Sequence, residues 1–175
     1  MTTLLEGRAR RFGDDVNTDY IISSTRKKAT LDEGVLKQYL METLDPSFAA
    51  SVQAGDLLVA GRNFGCGSAM EVAATVILAA GITAVIAQSF SRTFYRNAVN
   101  NGLMPIECDT TAIAEGDALV ISARAGGVLV RNVTTGTQSD GMMPSGIAAN
   151  ILRVGGLVAY LRNTGSFVMD ATLRP

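Results

Sequence analysis

Residues 56–106 constrain the fold of this 175-residue chain more than any other stretch. Three short apolar runs, Asp56–Ala60, Thr83–Ala87 and Leu103–Ile106, alternate with two helical patterns, roughly Ala69–Ala80 and Ser89–Asn101. The middle run is apolar almost throughout, as befits a strand buried on both faces of a parallel sheet. Gly81 and Gly102 stand where helices commonly end in the left-handed conformation. Strand–helix–strand–helix–strand requires right-handed parallel crossovers, so the chain reads as α/β. Phe90, Phe94, Ala98 and Asn101 share one face of the second helix, and Arg92 and Arg96, four apart, share another.

Around this unit the pattern changes. Leu4–Phe12 predicts a first strand, basic on one side through Arg8, Arg10 and Arg11. The Gly/Asp/Asn cluster from Gly13 to Asp19 is turn chemistry, after which Ile21-Ile22 re-enters the core. Asp14 and Asp15 read as turn residues, whereas the apolar run beside Asp19 would fix that carboxylate in place. Ser23–Lys28 is a polar loop ending in Arg26-Lys27-Lys28, either a solvated surface or a cation for a carboxylate. Thr30-Leu31-Asp32-Glu33 has capping-box spacing and predicts a helix to about Met41. Asp45-Pro46 predicts a short helical turn. Beyond Asp109 the chain turns to β: Ala118–Ser122 and Val128–Val133 flank Gly126-Gly127 as a hairpin. Pro144-Ser145 opens a helix to about Arg153, closed by Gly155-Gly156, and Leu157–Leu161 is the last apolar segment. A single domain over 1–165 with a loose tail over 166–175 is expected.

Composition excludes several kinds of chemistry. There is no histidine, which removes Ser-His-Asp and Cys-His catalysis and most zinc sites. The two cysteines, Cys66 and Cys108, cannot hold an iron–sulfur cluster alone, since that takes three or four thiolates. A net charge of −1 without a basic block argues against nucleic acid as the main partner. No 18-residue apolar stretch lacks charges or glycines, and the first residues carry no apolar signal segment, so a cytoplasmic location is expected.

The chemistry concentrates in Asn63-Phe64-Gly65-Cys66-Gly67-Ser68-Ala69-Met70-Glu71. Alternate glycines allow a tight turn and close approach of the backbone to a neighbour. The loop is expected to deliver Ser68 to a helix N-terminus, where unpaired N–H groups favour an anion. Ser68 and Glu71 also have the spacing of a capping box, so a structural and a catalytic role for Ser68 stand side by side, and Glu71 reads as a cap. The loop is not a phosphate-binding P-loop, because the required lysine is missing, nor a dinucleotide fingerprint, because Met70 occupies the third glycine position.

Three motifs, Asn17-Thr18-Asp19-Tyr20-Ile21-Ile22, Asn63–Ser68 and Ser89–Leu103, together with the closing Leu152–Leu157, resemble the small subunit of 3-isopropylmalate dehydratase, the swivelling domain of the aconitase superfamily. The resemblance implies a β/β/α three-layer swivel domain with a parallel strand–helix core and an added hairpin. It implies a separate large subunit carrying a [4Fe–4S] cluster, with no cofactor or metal held by this chain. The pair would be a hydro-lyase, dehydrating and rehydrating a 2-hydroxy dicarboxylate. Ser68 matches the family's catalytic serine and Asp19 its active-site aspartate. Gly67, Ala69, Met70 and Arg92 fall at substrate-binding positions, and Arg26 lies one residue from the family's substrate-loop arginine.

The chain departs from the family at Ala69-Met70, where serine and arginine usually bind a substrate carboxylate. A charge-assisted hydrogen bond is worth roughly 1.5–3 kcal/mol, so losing the arginine matters. Met70 is expected to offer flexible apolar surface instead. The alternative to isopropylmalate is then a substrate that differs at that carboxylate, as citraconate, maleate or dimethylmaleate would, or one whose anion Arg26, Lys27 or Lys28 holds in place of the missing arginine. A non-catalytic regulatory homologue is the other reading, with the lost serine and arginine marking a decayed site.

Overall fold

The seven strands curl into a single closed barrel, in the order β1-β2-β3-β4-β7-β6-β5, in a computed structural model that describes residues 2–165. Strand β1 (Thr3–Arg11) leads through short helices α1 (Thr18–Ile21), α2 (Ser24–Ala29), α3 (Glu33–Leu36) and α4 (Phe48–Ser51) to β2 (Leu57–Val59). Then come α5 (Val72–Ala79), β3 (Ala84–Ala87), α6 (Arg92–Asn101) and β4 (Met104–Cys108). The remainder is β5 (Ala118–Arg124), β6 (Gly127–Asn132), β7 (Gln138–Met142), α7 (Gly146–Arg153) and α8 (Leu157–Thr164). The parallel crossovers expected from 56–106 are present: β1, β2, β3 and β4 pair in parallel, with Leu58 beside Val85 and Ile86 beside Ile106.

Alternation along the parallel strands divides two cores. Leu57, Val59, Ala84 and Ile86 point into the barrel with Ala9, Ile106, Ile121 and Val130. Leu58, Ala60, Val85 and Ala87 point outward and are covered by Ile21, Leu36, Ala73, Ile77, Phe94 and Ala98 from the helices. Both faces of β3 are therefore buried, which is why its sequence shows no polar side. A smaller cluster of Val99, Ile151 and Tyr160 joins α6 to α7 and α8.

The hairpin forms as expected, with Arg124 opposite Gly127, but it is a wall of the barrel: β5 pairs antiparallel with β1. Closure depends on β7, which bridges β6 and β4 and which the sequence reading missed. Gln-Ser-Asp-Gly-Met has no apolar run to betray a strand, and among its residues Gly141 is buried. Other expectations need correction. Ser23–Lys28 is not a loop: Ser24–Ala29 form helix α2, capped by the Ser23 hydroxyl, which accepts from the Arg26 N–H. Helix α5 begins at Val72, not Ala69, because the chain from Ser68 to Met70 stays irregular. Helix α3 is capped by Asp32, whose carboxylate accepts from the Gly34 N–H at 2.8 Å, and it gives way to a 3-10 turn at Lys37–Tyr39 instead of running to Met41. Leu157–Leu161 belongs to the full helix α8. The expected tail, 166–175, lies outside the described residues.

A charge cluster locks β1 to the turn before β2. Asp56, buried, accepts from Arg8 Nη2 at 2.8 Å, Arg10 Nη1 at 3.2 Å and the Gln53 N–H at 3.0 Å. Arg10, also buried, reaches Glu115 at 2.8 Å and stacks over Phe48 at 4.6 Å. Burial pushes the Asp56 carboxyl up, but the bonds from Arg8, Gln53 and Arg10 together hold it below its ordinary value. A folded value below the unfolded one means stability that is present above the unfolded pKa, about 3.9, and lost as pH falls through the folded pKa. Removing one partner of a buried pair leaves an uncompensated charge. Asp56→Ala should cost about 3 kcal/mol at pH 7 by urea denaturation, and the gap from the unsubstituted chain should narrow below about pH 4. An unchanged midpoint at pH 7 would contradict this account of the pair.

Candidate active site

The three sequence motifs lie where β1, β2 and β3 end, at the carboxyl ends of parallel strands, the end at which both open and barrel-forming α/β sheets bind ligands. Their loops continue the pairing of the strands they leave. Gly61 N–H donates to Gly13 O, Asp15 N–H to Arg62 O and Gly65 N–H to Val16 O at 2.8–3.0 Å. Thr18 N–H then reaches Cys66 O at 2.8 Å. On the other side Gln88 N–H donates to Gly61 O, Phe64 N–H to Ser89 O and Ser91 N–H to Phe64 O, at 2.9–3.0 Å. The middle loop, 61–68, is thus stitched to both neighbours.

Side chains tighten the seam. Ser91 caps α6 by accepting from the Phe94 N–H, and its hydroxyl donates to Gly65 O at 2.6 Å. The Asn17 carboxamide oxygen caps α1, accepting from the Asp19 N–H at 2.9 Å. Below the loop, Phe64 packs edge-on against Phe94 at 5.0 Å and Phe90 at 6.0 Å. Two glycines are required here. A Cβ on Gly65 (φ +75°) would meet the Phe94 side chain at 2.2 Å, and one on Gly67 (φ +93°) would meet the Asn17 carboxamide at 2.4 Å. Asp15 and Asn63 also adopt positive φ, 53° and 58°, and are bonded to each other, Asn63 Nδ2 to Asp15 Oδ1 at 2.8 Å. Asp and Asn tolerate this backbone better than other side chains do.

Ser68, Gly67 and Ala69 are exposed at the crest of the loop. The expected helix terminus does not reach Ser68: it precedes Val72 by four residues, and Glu71 makes no capping bond, so the capping box does not form. Among the described residues the Ser68 hydroxyl has no hydrogen-bond partner, and neither do the N–H groups of Gly67, Ser68 and Ala69. Its carbonyl is held, by the Thr18 hydroxyl at 2.9 Å. Asp19, half-buried on the next residue, accepts from the Ser24 N–H at 3.0 Å and from the Ser24 hydroxyl. Motifs one and two therefore meet through Thr18. Met70 departs from expectation: it is 4% exposed and packs in the helix-side core, so it offers no flexible surface.

Arg26 is also committed elsewhere. Its guanidinium forks onto Glu42 at 2.9 and 3.0 Å and stacks over Tyr39 at 3.8 Å. Lys27 and Lys28 are exposed on the same short helix. Arg92 is exposed beside the third loop, with no ion pair among the described residues, and lines an open groove of about 540 Å³ with Phe90, Tyr95, Arg96 and Glu107. Burial, then the charge of Asp15, raises the Cys66 thiol above its ordinary pKa. Cys108, inside the barrel, is pushed up to about 12 by burial and then by Asp109. Neither is a ready thiolate. No group of three or more potential metal ligands occurs among the described residues. Sequence reasoning passed over Ser91 and Thr18. Ser91 lies inside the helical pattern read over Ser89–Asn101, whereas α6 begins only at Arg92 with Ser91 as its cap, and nothing local marks Thr18.

Comparison with known proteins finds the same fold. The profile of the aconitase C-terminal domain matches residues 18–111, and the chain belongs to that family. It is similar to a methanogen homoaconitase small subunit of Methanocaldococcus jannaschii, 43% identical over 91% of this chain and 92% of the relative. It is similar too to a 3-isopropylmalate dehydratase small subunit of Desulfovibrio desulfuricans, 45% identical over 90% and 94%. A crystal structure of 3-isopropylmalate dehydratase from Methanocaldococcus jannaschii superposes with a TM-score of 0.87 at 42% identity, covering 92% of this chain and 95% of that one.

Two outcomes follow from the geometry. Gly65→Ala should lower the thermal midpoint by several degrees, since both φ and the Phe94 ring oppose a Cβ; an unchanged melting curve would refute the close approach. Met70→Arg should destabilise the chain, because an arginine at this core position must bury an unpaired charge or expel the loop. A Met70→Arg chain as stable as the parent in urea would contradict the buried placement.

Proposed function

We propose that this chain is the small subunit of a two-subunit hydro-lyase of the 3-isopropylmalate dehydratase type, a swivelling domain that completes its active site on a large subunit. The observation that carries the reading is the junction at Thr18, which sets the free Ser68 hydroxyl beside the segment bearing Asp19. The names of the relatives, small subunits of homoaconitase and of 3-isopropylmalate dehydratase, support it.

In this reading Ser68 Oγ is the base that removes the carbon-bound proton next to a carboxylate of a 2-hydroxy dicarboxylate. Charge then grows on that carboxylate, and donors must already point at it. The unpaired N–H groups of Gly67, Ser68 and Ala69 are such donors, and Ala69 supplies its N–H without the hydroxyl usual in the family. Arg92, exposed at the third loop, makes no ion pair among the described residues and is available to a carboxylate, as are Lys27 and Lys28, whereas Arg26 would first have to leave Glu42. The C–H electron pair becomes the new double bond as the neighbouring C–O bond breaks, the proton stays on Ser68 Oγ, and the departing hydroxyl takes up a proton to leave as water. Asp19, steadied by Ser24, accepts a hydrogen bond from the substrate.

A free serine hydroxyl is a weak base. Among the described residues nothing bonds to Ser68 Oγ, and the helix dipole, worth about 0.3–1 kcal/mol within the first turn, begins too far away. Activation has to come from the partner and the bound acid. The iron–sulfur cluster implied by the family does not fit this chain: two cysteines, one inside the barrel, cannot provide the three or four thiolates it needs. It belongs to the proposed large subunit, and every role assigned above is one this chain performs itself.

Ser68→Ala, in the complex reconstituted anaerobically with the large subunit, should lower kcat for 3-isopropylmalate by roughly a thousandfold or more, the scale of losing an essential group. Thermal stability should be unchanged, because Ser68 is exposed and its side chain has no hydrogen-bond partner among the described residues. Turnover within tenfold of the parent would remove Ser68 from the role of base.

A further inference from the structure

We infer that Thr18 is a positioning residue for Ser68, an inference that rests on Ser68 being the base. Among the described residues Ser68 Oγ makes no bond, so its place is set by the backbone that carries it. That backbone is gripped from one residue. Thr18 N–H donates to Cys66 O at 2.8 Å and Thr18 Oγ1 donates to Ser68 O at 2.9 Å, on either side of Gly67. Gly67 has φ +93° and faces the Asn17 carboxamide, so the residue between the two bonds can be held this close only because it lacks a Cβ.

The hydroxyl bond is specific. Thr18 is 1% exposed, so its hydroxyl cannot turn to bulk water, and its other neighbour, Asn17 Oδ1, is at 3.5 Å and already accepts from the Asp19 N–H. A hydroxyl has one proton to donate, and here it goes to Ser68 O. The same turn of α1 carries Asp19, whose N–H is bound by Asn17 and whose carboxylate is bound by Ser24. Asn17-Thr18-Asp19 thus acts as a jig: one peptide holds Asp19, and the residue between holds the loop of Ser68. The relative placement of base and carboxylate passes through Thr18.

Displacement of a reacting group by about 1 Å can cost roughly a hundredfold in rate. Thr18→Val keeps the shape and removes the donor, while Thr18→Ser keeps the donor. In the reconstituted complex, Thr18→Val should lower kcat by roughly 10–100-fold with KM within about twofold, and Thr18→Ser should recover most of the loss. Hydrogen exchange on the same complexes should quicken at the amides of residues 18 and 65, which donate to Cys66 O and Val16 O across the seam, in Thr18→Val and return in Thr18→Ser. Thr18→Val with a parental kcat would overturn the inference. So would equal loss in Thr18→Val and Thr18→Ser, or exchange that quickens across the whole barrel, since each describes a packing role alone. If Ser68→Ala retains full turnover, the assignment of the base fails first, and loop exchange still reports whether Thr18 holds the loop.

Discussion

The site depends on hydrogen bonds that carry the pairing of β1, β2 and β3 past the ends of the strands themselves. Parallel strands normally part at their carboxyl ends, because each chain turns off into its own helix. Here they stay joined for several more residues, from Gly13–Gly61 out to Thr18–Cys66 and from Gly61–Gln88 out to Phe64–Ser91. Segments far apart in sequence are thereby held at backbone hydrogen-bond distance, and the residues at their tips inherit that order. Each bond adds only about 0.5–1.5 kcal/mol net, so the arrangement needs many of them together with the packing beneath.

That packing explains the composition of the loops. Gly65 must be small because Phe94 lies where its side chain would be, and Phe94 is held there by Phe64 and Phe90. Met70, buried in the helix-side core, anchors the exit of the loop. The outcome is a loop rigid at both ends with an exposed crest of Gly67, Ser68 and Ala69. A crest with unpaired N–H groups and an unpaired hydroxyl is unfinished on its own surface, which fits a half-site completed by another subunit.

Most of the fold was legible because periodicity reports burial. Ala84–Ala87 is apolar on both sides and proved to be buried on both, and the glycines at 81 and 102 adopt the left-handed backbone expected of helix ends. What failed to show was of two kinds. Strand β7 is polar and short, held by its neighbours on either side, so no local signal betrays it. The start of α5 was misplaced because Ser68 and Glu71 have the spacing of a cap that Thr18 and the core around Met70 prevent from forming. Of the site residues, Ser68, Asp19 and Arg92 stand exposed or half-buried around the three loops. Arg26 was read as available because a sequence does not reveal that Glu42, sixteen positions on, would claim it.

The central claim is that a substrate acid sits at the ends of β1, β2 and β3, between the Ser68 crest and Asp19. A structure of the two-subunit complex with a bound 2-hydroxy dicarboxylate tests it most directly. The account predicts a carboxylate within hydrogen-bond distance of the N–H groups of 67–69, with Ser68 Oγ facing the carbon that loses its proton. An acid bound away from these loops, for example along the Arg92–Arg96 groove with Ser68 facing solvent, would contradict it.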